Sequence, residues 1–402
     1  MSSVAATESN EAARTALAVL VSISLCHALN DMMQSLLPAV YPLLKDSLSL
    51  DYSQVGLLVL TNQVTASLLQ PVIGYYTDRR PLPYLTVIGM FSTLCGLVLL
   101  ARADRFELLL PALALVGMGS AVFHPESSRI ARMASGGRHG FAQSIFQVGG
   151  NFGSSLGPLL AAFIILPGGQ ERIAWFALVA LLGMGLLWQV GNWYRARIGT
   201  VAQKTAPRQT PSAAVPPRRV APVMAILLAL IASKYFYLAS LSNYYIFYLG
   251  ETFHVPTGDA QIYLFIYFAA IAAGTLAGGP IGDRIGRRYV IWFSILGVLP
   301  FSLILPHANL MWTVILTVPI GLIISSAFSA IVVYAQELVP NRVGTMSGML
   351  FGFAFGLGGI AAALLGQLAD WQGIGFVYQI CAYLPAIGLL AAFLPELRHR
   401  QV

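Results

Sequence analysis

Three groups of ionisable residues interrupt otherwise apolar stretches of this chain, and they are where chemistry is available. In HALNDMMQ, His27, Asn30, Asp31 and Gln34 stand at i, i+3, i+4 and i+7. A helix puts all four on one face. The second group is His124, Pro125 and Glu126, with Arg129 following. Pro125 frees a backbone carbonyl and can kink a helix, and Glu126 and Arg129 at i, i+3 can pair. The third is Lys234, the one lysine deep in an apolar segment, followed by Tyr237, Ser240, Tyr244 and Tyr245. Ionisable groups far from water are costly and commonly line a pathway. Asp31 and Glu126 are thus candidate proton carriers, with His124 as a relay. Lys234 is a candidate point charge for an anionic group, paired in the empty state with Asp31 or Glu126. His27, Asn30, Gln34, Arg129 and Tyr237 are candidate contacts for the same ligand. Each has a plainer alternative: a carboxylate bonded to a neighbouring helix, a permanent Glu126–Arg129 pair, a histidine satisfied in the core, an arginine marking the membrane surface.

Further polar patterns point to packing and gating. Gln143, Gln147, Asn151 and Ser154 recur at helical spacing among Gly149, Gly150, Gly153 and Gly157. The glycines permit close helix packing. The amides of Gln147 and Asn151 either line a cavity or bond across that packing. Two loops share G-x-x-x-D-R: Gly74 to Asp78 and Arg79, and Gly279 to Asp283 and Arg284, the second continuing to Arg287 and Arg288. An aspartate at a helix end can bond arginines or the N-terminus of another helix. Such a latch can form in one conformation and break in another; a static surface ion pair is the alternative.

The elements that must position these residues are membrane-spanning helices. Of 402 residues, 57% are hydrophobic and 10% charged, against roughly 25% charged in soluble domains. Mean hydropathy is +0.73. A span needs about 20 apolar residues, and twelve segments qualify: 16–44, 54–77, 83–101, 107–133, 139–166, 172–194, 222–250, 259–281, 288–306, 310–338, 343–369 and 374–394. The three cysteines show neither CxxC nor Cys/His spacing, so no disulfide framework or metal site is expected. Residues 1–15 are polar and the apolar run after them is too long for a cleaved signal. With the N-terminus in the cytoplasm, most of the 23 Lys and Arg, including Arg14, Arg208, Arg398 and Arg400, fall on the cytoplasmic side. Lys45, Arg102, Arg105 and Arg172 fall outside. This bias predicts both termini in the cytoplasm. It also accounts for the net charge of +7 through the lipid bilayer, with no nucleic acid.

The chain reads as two halves of one design. The polar, Pro- and Arg-containing stretch 195–221 is expected to link a bundle over 1–194 to a second over 222–402. The two G-x-x-x-D-R loops, and R-H-G at 138–140 with R-V-G at 342–344, match at a common offset of about 204 residues, which argues for internal duplication. The expected fold is all-α: twelve transmembrane helices in two pseudo-symmetric six-helix bundles.

GPIGDRIGRR resembles the signature loop of the major facilitator superfamily. GGNFGSSLGP, at 149–158, resembles the helix-5 motif of its drug/proton antiporters. HALNDMMQSLLPAVYPLL, VFHPESSRIARMASGGRHG, QSIFQVGGNFGSSLGPLLAA, SKYFY and YAQELVPNR resemble the bacterial fosmidomycin-resistance family along nearly the whole chain. That resemblance implies a monomeric inner-membrane pump. It would export the phosphonate antibiotic fosmidomycin in exchange for protons through a central cavity reached by alternating access. The first loop, DRRPLPY, departs from the family by lacking the Gly-Arg-Arg tail, so its gating contacts are expected to be made differently.

Three other classes compete. An importer or exchanger of a small anionic metabolite would use the same cations. An enzyme is disfavoured, because there is no P-loop or redox CxxC. A sensor would be expected to carry a soluble output domain.

Overall fold

The computed structural model describes residues 16–50, 52–165, 167–204 and 217–395. Their regular elements are helical throughout: α1 (Leu17–Ser47), α2 (Tyr52–Arg79), α3 (Leu85–Arg102), α4 (Phe106–Met133), α5 (His139–Leu160), α6 (Phe176–Lys204), α7 (Pro217–Phe253), α8 (Thr257–Ile285), α9 (Arg287–Leu296), α10 (Leu299–Ile304), α11 (Leu310–Leu338), α12 (Val343–Gln372) and α13 (Ile374–Cys381). A π turn, Ala161–Ile165, follows α5, and 3₁₀ segments at Gln170–Trp175 and Leu384–Phe393 extend two of the spans. Arg14, Arg208, Arg398 and Arg400 lie outside the described residues.

Among the described residues, eleven stretches are long and apolar enough to cross a membrane. The expected span that this leaves out is the fifth, 139–166, which holds α5; its amides, serines and glycines lower its hydropathy. Large apolar side chains cover the outside: Phe163 is 74% exposed and Trp371 79%. His27, Asn30, Glu126 and Lys234 are buried. Apolar outside and polar inside is the arrangement that lipid selects, because a buried polar group can bond within the protein and a lipid-facing one cannot.

Several expected boundaries shift for local reasons. The stretch 288–306 is one apolar run, but it forms α9 and α10 with a turn between them. Pro300 enters the first turn of α10, where its missing N–H costs nothing, and Pro306 starts a further 3₁₀ turn. The stretch 374–394 likewise splits before Pro385. The 195–221 linker shortens from both ends, since α6 runs to Lys204 and α7 starts at Pro217. Arg197 lies 4.4 Å over the Trp193 ring, so the polar turns of α6 carry side-chain contacts of their own. At Gly286, φ is +99°. This left-handed backbone turns α8 into α9, and glycine adopts it without a side-chain clash.

The chain forms two compact units. One comprises Met1–Thr210 with Pro340–Gly352, the other Pro211–Val339 with Phe353–Val402. The first turns of α12 therefore belong with the first unit. Within that unit α1 packs on α5, and α2 and α3 pack on α4; within the second, α8 and α9 pack on α11. The α1–α5 seam is held close by glycine. A Cβ on Gly149 would lie 2.0 Å from the Ser24 carbonyl oxygen, and one on Gly153 the same distance from that of Ala28.

Candidate functional site

The first unit gathers α1, α4 and α5 around Asp31. His27 Nε2 lies 3.2 Å from Asp31 Oδ2, and His124 Nε2 lies 3.3 Å from Asp31 Oδ1. Asn30 donates to Asp31 Oδ1 at 2.9 Å. The far nitrogens of both rings meet main chain: His27 Nδ1 is 2.7 Å from the Phe146 carbonyl and His124 Nδ1 is 2.9 Å from that of Ser120. Those contacts fix ring orientation, as a second partner on imidazole generally does. The Phe146 ring stacks on His27 at 4.0 Å, and Phe351 of α12 lies 5.4 Å from the His124 ring. The ligating atoms of the three residues all fall within 4.8 Å of one another. Two imidazoles and a carboxylate are a donor set that can bind protons and that a divalent metal can also use. Gln34 donates to the Val116 carbonyl at 3.1 Å, tying α1 to α4.

Farther along α4, Arg129 is fully engaged. It bonds Asp78 at 2.6 Å, the Thr77 carbonyl at 2.7 Å and the Thr77 hydroxyl at 3.0 Å, and lies 3.2 Å from Glu126. Asp78 also receives the N–H of Gly344 at 2.9 Å, the N–H of Thr345 at 2.7 Å and the Thr345 hydroxyl at 2.5 Å. The first amides of a helix have no partner within it. Asp78 supplies that partner to α12 and puts a negative charge where the helix dipole favours one. The backbones meet here: a Cβ on Gly74 would be 2.1 Å from the Gly344 carbonyl oxygen. Ser128 donates to Gln143 at 2.9 Å, and among the described residues Gln147 Oε1 is buried without a hydrogen-bond partner.

In the second unit the corresponding loop is wired differently. Arg287 bonds Asp283 at 2.9 Å and Glu337 of α11 at 3.1 Å, and Arg288 donates to the Ala392 carbonyl at 2.7 Å. Arg284 is exposed, as is Arg79, whose guanidinium lies 3.6 Å over the Tyr75 ring. Lys234 is buried, with Nζ 5.2 Å from the Phe328 ring and 5.6 Å from that of Tyr235. Among the described residues of this unit no carboxylate comes within ion-pair distance of it. Tyr237 is packed into the apolar core.

The chain matches the profile of the Major Facilitator Superfamily over residues 23–362 and 228–402. It belongs to the major facilitator superfamily. A protein of Escherichia coli K12 named fosmidomycin resistance protein is 58% identical over 395 residues, covering 98% of this chain and 97% of its own. An uncharacterized transporter of the superfamily from Bacillus subtilis is 42% identical over 379 residues, covering 94% and 93%. The crystal structure of the Escherichia coli fucose:proton symporter superposes with a TM-score of 0.73 at 15% identity, covering 95% of this chain and all of that one. At that identity the likeness speaks for the fold. This is a multi-pass membrane transporter of the superfamily rather than an enzyme.

Within this facilitator, the expected site residues separate into groups. His27, Asn30, Asp31 and His124 form one cluster, although only their places along each helix were visible in sequence. Gln34 meets main chain, Asn151 lies half-buried on α5, and Arg129 lies at the loop network instead of in open space. The missing Gly-Arg-Arg tail of the first loop is made good by Arg129, which fills for Asp78 the place that Arg287 fills for Asp283. Sequence reasoning missed Thr77, Gly344, Thr345 and Glu337 as partners. For Glu337, a lone acid at the end of an apolar span was an available signal.

Proposed function

We propose that this protein exports fosmidomycin, or phosphonates of its kind, across the bacterial inner membrane in exchange for protons, by alternating access. The observation that carries the proposal is the largely buried Asp31 carboxylate, 14% exposed and set between two imidazoles, in a chain so similar to a protein named for fosmidomycin resistance. A phosphonate needs a cation to hold it and a means of release. Lys234 offers the cation: its amine is held against aromatic rings, not a neighbouring carboxylate of its unit, so it is available to an anion. Asp31, with His124, offers the proton site, and Glu126 beside Arg129 offers a second.

Protons drive such a cycle only if proton and drug alternate for coupled groups. In this scheme a proton entering from outside loads the Asp31 cluster, the drug leaves outward, and the proton is released inside. Asp78 and the first turn of α12 act as the latch that makes and breaks, with Arg129 linking it to Glu126; Arg287, Asp283 and Glu337 serve the matching loop. The protein works as a monomer with both termini in the cytoplasm.

The test uses everted vesicles with an acidic interior. Adding fosmidomycin is expected to accumulate drug inside and to release protons outward, and Asp31→Asn to abolish the release. Sealed, active vesicles that accumulate drug with no proton movement would refute antiport. Drug or anion moving in the opposite direction would make the protein an importer.

A further inference from the structure

We propose that His27, Asp31 and His124 form a binding site for one divalent transition-metal ion, of the zinc, cobalt or nickel class, with a fourth coordination position open to an anionic oxygen from outside the chain. Such a site is independent of the export reading above. The sequence predicts no metal site, because the two histidines stand far apart and lack the short spacing that marks one. Only the packing of α1 on α4 brings them to the same carboxylate.

The ring nitrogens are oriented for ligation. A carbonyl oxygen only accepts hydrogen bonds. His27 Nδ1 lies 2.7 Å from the Phe146 carbonyl, so Nδ1 donates there and the lone pair of the neutral ring is on Nε2. The residue is only 2% exposed. Nε2 is 3.2 Å from Asp31 Oδ2, yet among the described residues it is buried without a hydrogen-bond partner. A buried polar atom left without a bond is costly, and an ion bound there would use its lone pair. On α4, His124 Nδ1 is 2.9 Å from the Ser120 carbonyl, which directs Nε2 to the other side of the same carboxylate, 3.3 Å from Oδ1. An imidazole whose Nδ1–H is held by a main-chain carbonyl is the form in which histidine commonly binds metal.

The spacing suits a small ion. Ligands arranged tetrahedrally at about 2.1 Å from zinc stand about 3.4 Å from one another. The two nitrogen–oxygen separations here are 3.2 and 3.3 Å. The donor atoms of the three residues all lie within 4.8 Å of one another, so small rotations of the rings bring both nitrogens onto one ion. Two imidazoles with one carboxylate favour transition metals, whereas magnesium and calcium take oxygen ligands. Three protein ligands leave a fourth position open. One carboxylate balances one of the ion's two charges, and the charge left over in a buried site favours an anionic oxygen at that position.

The residues around the three ligands support the same reading. Asn30 donates to Asp31 Oδ1 at 2.9 Å and so orients the carboxylate, as partners of ligating carboxylates do. Phe146 stacks on the His27 ring at 4.0 Å, Phe123 lies 5.7 Å from both imidazoles, and Phe351 lies 5.4 Å from that of His124. These apolar walls lower the local dielectric and strengthen the attraction between an ion and Asp31. Gly150 of α5 leaves the donor atoms uncovered: a Cβ there would lie 2.5 Å from His27 Nε2 and 2.7 Å from Asp31 Oδ2.

The experiment titrates purified, tag-free protein, first stripped of metals with a chelator, with cobalt(II) in detergent solution, and follows visible absorption. Wild type is expected to take up about one cobalt per chain with the intense bands of a four-coordinate site, and to lose them to zinc but not to magnesium. His27→Gln and Asp31→Asn are each expected to weaken binding more than about 10-fold and to alter the bands. Gly150→Ala keeps all three ligands and crowds only their donor atoms; it is expected to weaken binding in the same direction, and it decides the matter if the ligand variants do not fold. No cobalt uptake by wild type would overturn the site. So would uptake of equal affinity and spectrum in folded variants, which would place the ion on exposed histidines such as His254 and His307. The titration uses neither drug nor gradient, so its failure leaves the antiport scheme standing, and proton release in metal-free vesicles tests antiport separately.

Discussion

Replacing Asp78 by asparagine isolates what the carboxylate does for α12. Asp78 Oδ1 receives Gly344 N–H and Arg129, and Oδ2 receives the N–H and hydroxyl of Thr345. Asparagine keeps one acceptor oxygen, which can hold the Gly344 and Arg129 contacts. Its NH2 group takes the Oδ2 position and meets the Thr345 N–H donor to donor. Two bonds to a charged group are lost, at about 1.5–3 kcal/mol each for a charged acceptor. The lower end gives about 3 kcal/mol, or roughly a hundredfold shift toward a state in which the first turn of α12 is uncapped. Loss of an N-cap alone costs about 0.5–2 kcal/mol, so the larger part comes from removing the charge that also balances Arg129.

Hydrogen exchange reads this directly, because the amides of Gly344 and Thr345 are the donors. In detergent or nanodiscs, peptides covering the start of α12 are expected to exchange at least tenfold faster in Asp78→Asn, a conservative part of that hundredfold shift. Peptides from the middle of α4 away from Arg129 should be unchanged. If α12 exchanges at the wild-type rate while the variant is folded, the carboxylate contributes no capping. The latch would then be a surface ion pair only.

Lys234→Met removes the buried amine while keeping an unbranched chain between Tyr235 and Phe328. Fosmidomycin binding measured by calorimetry is expected to weaken about 10- to 100-fold, and equal affinity would remove Lys234 from the drug site. Gly153→Ala places a methyl group 2.0 Å from the Ala28 carbonyl oxygen and 2.7 Å from its carbonyl carbon, so α1 and α5 must separate. A loss of about 1–3 kcal/mol is expected in denaturant titrations. Gly185→Ala, with nothing within 4 Å of the added carbon, should be neutral, and equal losses in both would show that packing on α1 is not the cause.

Much of the fold is legible because lipid imposes one requirement on every span: a long apolar run. The fourth and tenth expected spans, 107–133 and 310–338, meet α4 (Phe106–Met133) and α11 (Leu310–Leu338) almost residue for residue. The same criterion is blind to breaks inside an apolar run. The turn between α9 and α10 carries no polar residue, and only Gly297 and Pro300 mark it in sequence. Hydropathy also under-reports α5, whose surface is turned to α1 instead of lipid along much of its length. A helix screened from lipid by a partner can carry Gln143, Gln147 and Asn151, and glycines there serve the approach of the two backbones.

The candidate site was legible only within single helices. A spacing of four residues puts His27 against Asp31, and a spacing of three puts Glu126 against Arg129, because helical geometry alone brings such pairs together. Nothing local says that His124 on α4 meets Asp31 on α1, or that Arg129 reaches Asp78 on α2. Those contacts depend on which helix faces turn toward each other, and glycine seams and buried polar groups settle that collectively. No local signal speaks for the expected partnering of Lys234 with Asp31 or Glu126 either. Both carboxylates are already engaged inside the first unit, by imidazoles and by Arg129. A lone charge in a span demands compensation, but its kind is set by the fold. Aromatic faces lie beside Lys234, and they compensate an amine less fully than a carboxylate would. An amine with no carboxylate partner among the described residues of its own unit has more to gain from an anionic ligand than one already paired, which is why we propose Lys234 for the drug and the well-partnered aspartate for the proton.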